Sequence, residues 1–141
     1  YILVGQKDDY LLPHKSYVSS LKYLKKNSKK NELIFVWPEG AEYTFFAKKR
    51  SEITHFWQNV GAVDCIQKMQ KQRNHHCQES HLNSIKNSKA DYFIDMSFST
   101  RSDLHKYGGM KAFPMIKEFL KKNYTNLGNF KAATIWKKNK K

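Results

Sequence analysis

With 141 residues, 40% of them hydrophobic and 14% aromatic, the chain can bury one core without staples, and its Phe, Tyr and Trp content excludes a disordered basic tail. Its 26 Lys and Arg against 12 Asp and Glu give a formal charge of +14, which repels itself in a compact fold and points to a polyanionic partner. Nucleic acid is the first such partner and an anionic membrane surface the second; the plainer account is lysine used only to solubilise the surface.

In chain order, Tyr1 to Gly5 is a short apolar run closed by glycine, as in a buried strand, with Asp8 and Asp9 at its carboxyl end. From Pro13 to Lys26, Tyr17, Val18, Leu21 and Leu24 recur at helical spacing, and lysines gather in the last turn, where they suit the negative end of the helix dipole. Leu33 to Trp37 predicts a second strand, ended by Pro38-Glu39-Gly40. Strand, helix and strand at this spacing predict a parallel βαβ unit. After the charged run Lys48, Lys49 and Arg50, Ser51 is placed to cap a helix carrying Ile53, Phe56, Trp57, Val60, Val63 and Ile66 to about Met69. Residues 73–89 read as a polar connection that allows a short helix around His76 to Ile85.

The densest chemistry lies in 88–109. Alternation over 91–98 predicts a strand with Tyr92, Ile94, Met96 and Phe98 on a core face and Asp91, Phe93, Asp95 and Ser97 on the other, running into Ser99-Thr100-Arg101-Ser102-Asp103. Phe113, Ile116, Phe119 and Leu120 then mark a helix with Pro114 in its first turn, and Phe130 to Trp136 reads as a last strand. Residues 111–141 hold nine lysines and one acid, Glu118, a local charge of +8.

Four constellations carry chemistry. Asp8, Asp9, Asp91, Asp95 and Asp103, with Glu39 as an outlier, lie on or after predicted strands, where ligands of open α/β sheets sit. Asp8, Asp9, Asp95 and Asp103 converging there as catalytic carboxylates, with Asp9 and Asp95 as metal ligands, would hold Mg²⁺ for phosphodiester cleavage; solvated strand-end acids are the plainer account. Asp95 stands out because an acid in mid-strand needs a partner. His75, His76, Cys77 and His81, with Cys65 upstream, offer half a zinc site on a helix, but the spacing matches no standard finger, so Zn²⁺ is not favoured. Ser99, Thr100 and Arg101 are suited to bind phosphate, although the plainer account is Ser102 or Asp103 as the N-cap of a helix. Finally, Lys48, Lys49, Arg50, Lys137 and Lys138, with the lysines of the first helix, form a phosphate track on which Tyr107 and Tyr124 stack bases.

The two cysteines are too few for a disulfide scaffold and leave one bridge open. No run approaches the roughly 18 apolar residues of a membrane span, and the chain opens on a strand rather than a signal peptide or initiator Met, as a piece of a longer protein would. An intracellular location is expected. The expected architecture is one three-layer α/β domain over 1–136, with a small, mostly parallel sheet of about four strands flanked by amphipathic helices, and a basic tail over 137–141. The expected function is a nucleic-acid-binding module, with a metal-dependent nuclease and a protein-interaction or membrane-surface domain as alternatives. The expected core is Val18, Leu21, Leu24, Phe35, Phe56, Trp57, Val60, Ile94, Met96, Ile116, Phe119 and Leu120.

Overall fold

A computed structural model describes residues 17–38, 47, 59–72, 76–98 and 103–140. Among them are four helices, α1 (Val18–Asn27), α2 (Asn59–Gln72), α3 (His76–Ser88) and α4 (Pro114–Asn123), and four strands, β1 (Ile34–Trp37), β2 (Tyr92–Asp95), β3 (Tyr124–Phe130) and β4 (Ala133–Lys138). Two 3₁₀ turns, Asp103–Tyr107 and Gly109–Ala112, link β2 to α4.

The strand order is β1-β2-β4-β3. Only β1 and β2 run parallel, with Trp37 opposite Asp95; β4 is antiparallel to both of its neighbours. The sheet is therefore mixed, which corrects the expectation of a mostly parallel one. The cause is a hairpin that replaces the single last strand: β3 and β4 fold back through Lys131 and Ala132, with Lys131 at φ 57° and a bulge between Asn126 and Gly128, where Gly128 takes φ 128°. The first predicted strand, Tyr1 to Gly5, and with it the βαβ unit, lies outside the described residues. The observed parallel pair is joined instead through α2 and α3.

β1 and β2 are buried along their whole length, as strands covered on both faces must be. Alternate residues enter different clusters. Phe35, Trp37 and Phe93 pack with Ile66, Ile85, Phe113, Ile116 and Leu120, while Ile34, Val36, Tyr92 and Ile94 pack with Leu24, Met96, Ala133 and Ile135. Fully burying one such side chain contributes roughly 1.5–3 kcal/mol. Of the expected core, Leu24, Phe35, Ile94, Met96, Ile116 and Leu120 are buried, and Val18, Leu21 and Phe119 are half-buried. Phe56 and Trp57 lie outside the described residues, as does the side chain of Val60. Phe98, expected on the core face, is exposed because the strand has already ended.

A disulfide joins Cys65 of α2 to Cys77 of α3. It ties together two consecutive helices whose termini flank residues 73–75.

Candidate nucleic-acid interface

α1, α3 and α4 each lead into a strand, β1, β2 and β3 respectively. Because β1 and β2 are parallel and β3 pairs with β4 so that Tyr124 faces Lys138, the starts of all three strands lie at one end of the sheet. The antiparallel β4 ends there too, with Lys137 opposite Tyr92. Three helix C-termini and one strand C-terminus thus share a rim.

Lysine concentrates on this rim. Lys25 and Lys26 occupy the last turn of α1, with Lys29 and Lys30 just beyond; Lys86 lies in the last turn of α3, with Lys89 beyond. Lys121 and Lys122 close α4, and Lys137, Lys138 and Lys140 complete the set, so that eleven of the eighteen lysines among the described residues are here. Each helix favours cations at its own C-terminus, which explains the lysines one helix at a time. It does not account for β4, whose lysines serve no helix dipole.

The junctions are tied to one another. The Tyr92 hydroxyl donates to Asn27 O at 3.4 Å, the Tyr124 hydroxyl to Ala90 O at 2.7 Å, and the Asn139 amide to Asn123 O at 2.9 Å. These bonds connect the end of α1 to β2, the end of α3 to β3, and the end of α4 to the residue after β4. Burial, with Asp91 adding a smaller push, moves the Tyr124 phenol up to about 12, so that it remains a donor. Lys137 lies 5.5 Å from the Tyr92 ring centroid, and its interaction with the Tyr92 hydroxyl holds the ammonium above its ordinary pKa.

Among the described residues two acids lie at this end, and both bond to backbone. Asp91 accepts from the Leu33 amide at 2.8 Å, and Glu32 from the Lys29 amide at 2.6 Å. Neither makes an ion pair with a rim lysine among the described residues.

No family model, curated protein or solved structure matches the chain.

The predicted site residues fall into separate places. Lys137 and Lys138 belong to β4 rather than to a free tail, and both are on the rim. Asp95 is at the other end of β2, about 10 Å away along the strand at roughly 3.3 Å per residue. It is buried, and its Oδ1 accepts from the Ser97 amide at 2.8 Å and the Ser97 hydroxyl at 2.5 Å. Burial pushes its pKa up to about 6, against the opposing pull of those bonds. Asp103 opens a 3₁₀ turn. Asp8, Asp9, Lys48, Lys49, Arg50, Ser99, Thr100 and Arg101 lie outside the described residues.

Among the described residues no group of three or more His, Cys, Asp or Glu is placed to hold a metal ion. The sulfurs of Cys65 and Cys77 are bonded to each other, so the sequence-level pairing of Cys77 with His81 is not a ligand pair. His81 is buried against the Phe113 ring, its centroid 5.6 Å away, and desolvation lowers it to about 4. His76 is exposed, 3.5 Å from Glu79. Tyr124, expected as an exposed stacking platform, is a core residue, and Tyr107 is half-buried beside the larger cluster.

Proposed function

We propose that the domain binds the phosphate backbone of nucleic acid through this lysine rim. The observation that carries the reading is the convergence of four basic chain segments on one end of the sheet, held in fixed relation by the hydrogen bonds of Tyr92, Tyr124 and Asn139. Lysine supplies point charges without the planar fork of arginine, which suits contact with successive phosphates more than reading of base edges.

The disulfide favours a second polyanion. Such bridges persist in oxidising compartments, so Cys65–Cys77 supports a setting outside the reducing cytosol rather than the intracellular one expected from sequence, and sulfated polysaccharide is the polyanion met there. No helix among the described residues is long and apolar enough to cross a membrane. The metal-dependent nuclease requires Asp8 or Asp9 beside Asp95; Asp8 and Asp9 lie outside the described residues, and Asp95 lies at the end of β2 opposite the rim. The two side-chain clusters, one taking each alternate set of strand residues, support the three-layer arrangement and a single domain that includes β4 to Lys138.

The test compares two charge-matched variants. Lys121, Lys122, Lys137 and Lys138 changed together to Gln should weaken binding to labelled duplex and single-stranded RNA and flatten the log–log salt slope by about 0.7–0.9 per lost phosphate contact. Lys68, Lys71, Lys117 and Lys131 changed to Gln should leave the slope nearly as it was. Equal effects from both sets would reduce the rim to net charge alone. Heparin and anionic vesicles in the same titrations separate the polysaccharide and membrane readings from nucleic acid.

A further inference from the structure

At the opposite ends of α3 and α4, away from the rim, a cleft of about 570 Å³ opens between α2, the start of α3 and the two 3₁₀ turns. This volume falls in the range of small-molecule sites, roughly 300–1,000 Å³. Ile66 and Met69 of α2 give it an apolar wall, and Lys106 and Lys111 of the two turns stand at its mouth. No acid lines it, and no ion pair holds either lysine among the described residues.

Gln78 supplies the second, independent observation. It lines the cleft yet is fully buried. Its Oε1 accepts the Met115 amide at 2.7 Å, which commits the other end of the amide, Nε2, to Met69 Sδ at 3.7 Å. A thioether is a weak acceptor, and a buried amide ordinarily satisfies both of its hydrogens. Among the described residues the second hydrogen has no acceptor. Pro114, the first residue of α4, also lines the cleft and brings the positive end of that helix to it.

An apolar wall and two cations with no acid beside them define one class of occupant. We propose that the cleft binds a small organic anion, an aromatic or aliphatic body carrying one carboxylate, sulfonate or phosphate group. The body lies on Ile66 and Met69, and the anionic head meets Lys106 and Lys111. The site is independent of the polyanion reading, since it occupies the other end of α3 and α4 and is too small for a polymer.

Anilinonaphthalene sulfonate is the probe, titrated into the whole chain by fluorescence, with phenylnaphthylamine as its uncharged counterpart. Saturable single-site binding is expected. Lys106→Gln with Lys111→Gln should weaken the sulfonate about tenfold and leave the uncharged compound unchanged, because only charge-assisted contacts are lost. Ala112→Trp, which fills the cleft, should abolish both; if that variant fails to fold, Gln70→Glu at the exposed mouth should weaken the sulfonate alone. Lys137→Gln with Lys138→Gln should change neither. Sulfonate affinity that survives the Lys106/Lys111 change, that falls with the rim lysines, or that never saturates would overturn the assignment.

Discussion

Ser97 gives both of its polar hydrogens to one oxygen of Asp95, the amide at 2.8 Å and the hydroxyl at 2.5 Å. Among the described residues this is the partner that the buried carboxylate at the end of β2 has. Two donors do not offset the burial, for the carboxyl still titrates near 6. At pH 7 the group is mostly ionised, and holding it so costs up to roughly 3 kcal/mol at 1.36 kcal/mol per pKa unit. Asp95→Asn keeps an acceptor for Ser97 and removes the charge. Urea unfolding at pH 7 should find it at least as stable as the wild type, and a loss above about 1 kcal/mol would reveal a cation on the carboxylate. Ser97→Ala should cost about 1–3 kcal/mol, because it strips a donor from a buried acceptor.

Asp95 and His81 drive stability in opposite directions with pH. Asp95 is raised to about 6 from 3.8, so between those values the native state holds more protons than the unfolded chain, and stability falls as pH rises. His81 is lowered to about 4 from 6.5, so between those values the unfolded chain holds more protons, and stability rises with pH. The windows overlap, and the wild type should be nearly flat there. Denaturation midpoints taken from pH 4 to 6.5 should lose stability on acidification in Asp95→Asn and gain it in His81→Phe. Parallel curves for all three proteins would refute the opposition.

The Cys65–Cys77 bridge closes a loop with a sequence separation of 12. Constraint of the unfolded chain by a loop of this size is worth about 3 kcal/mol. Reduction, or Cys65→Ser with Cys77→Ser, should lower stability by about 2–4 kcal/mol in thermal melts while leaving the far-ultraviolet spectrum unchanged.

Gly109 adopts φ +63°, and a Cβ there would lie 2.9 Å from both Ser97 Oγ and the Phe98 ring. Gly109→Ala therefore combines a left-handed backbone, costing about 1–2 kcal/mol, with a push on the hydroxyl that serves Asp95. The variant should be destabilised by more than that backbone cost alone. Pairing it with Ser97→Ala in a double-mutant cycle should show coupling of about 0.5 kcal/mol or more.

Some of this fold is plain in the residues. Ile34 to Trp37 and Pro114 to Asn123 are recognisable because apolar runs and a proline-started stripe carry their own signal. α3 is legible only as the short helix allowed around His76 to Ile85, because its buried face is Gln78, His81, Leu82, Ile85 and Ser88, a helical spacing in which most positions are polar. β3 is hidden for a related reason. Tyr-Thr-Asn-Leu-Gly-Asn-Phe is an edge strand with mostly exposed or half-buried positions, so it reads as a turn. The alternation predicted over 91–98 holds as a strand only from Tyr92 to Asp95, both of whose faces are covered, and Asp95 sits inside the protein rather than on an open catalytic face. The lysines of the rim are visible one by one in the sequence. Their assembly is a property of the strand order, which no local pattern encodes.

That strand order also governs how the domain is made. β4 is the last strand of the four to leave the ribosome, yet it sits between β2 and β3. Until residues 133–138 have emerged, β2 and β3 each present an unpaired edge, and the sheet cannot close around a half-made chain. Folding is thus tied to the completion of β4, and a nascent chain stalled before Ala133 would carry its apolar strands exposed.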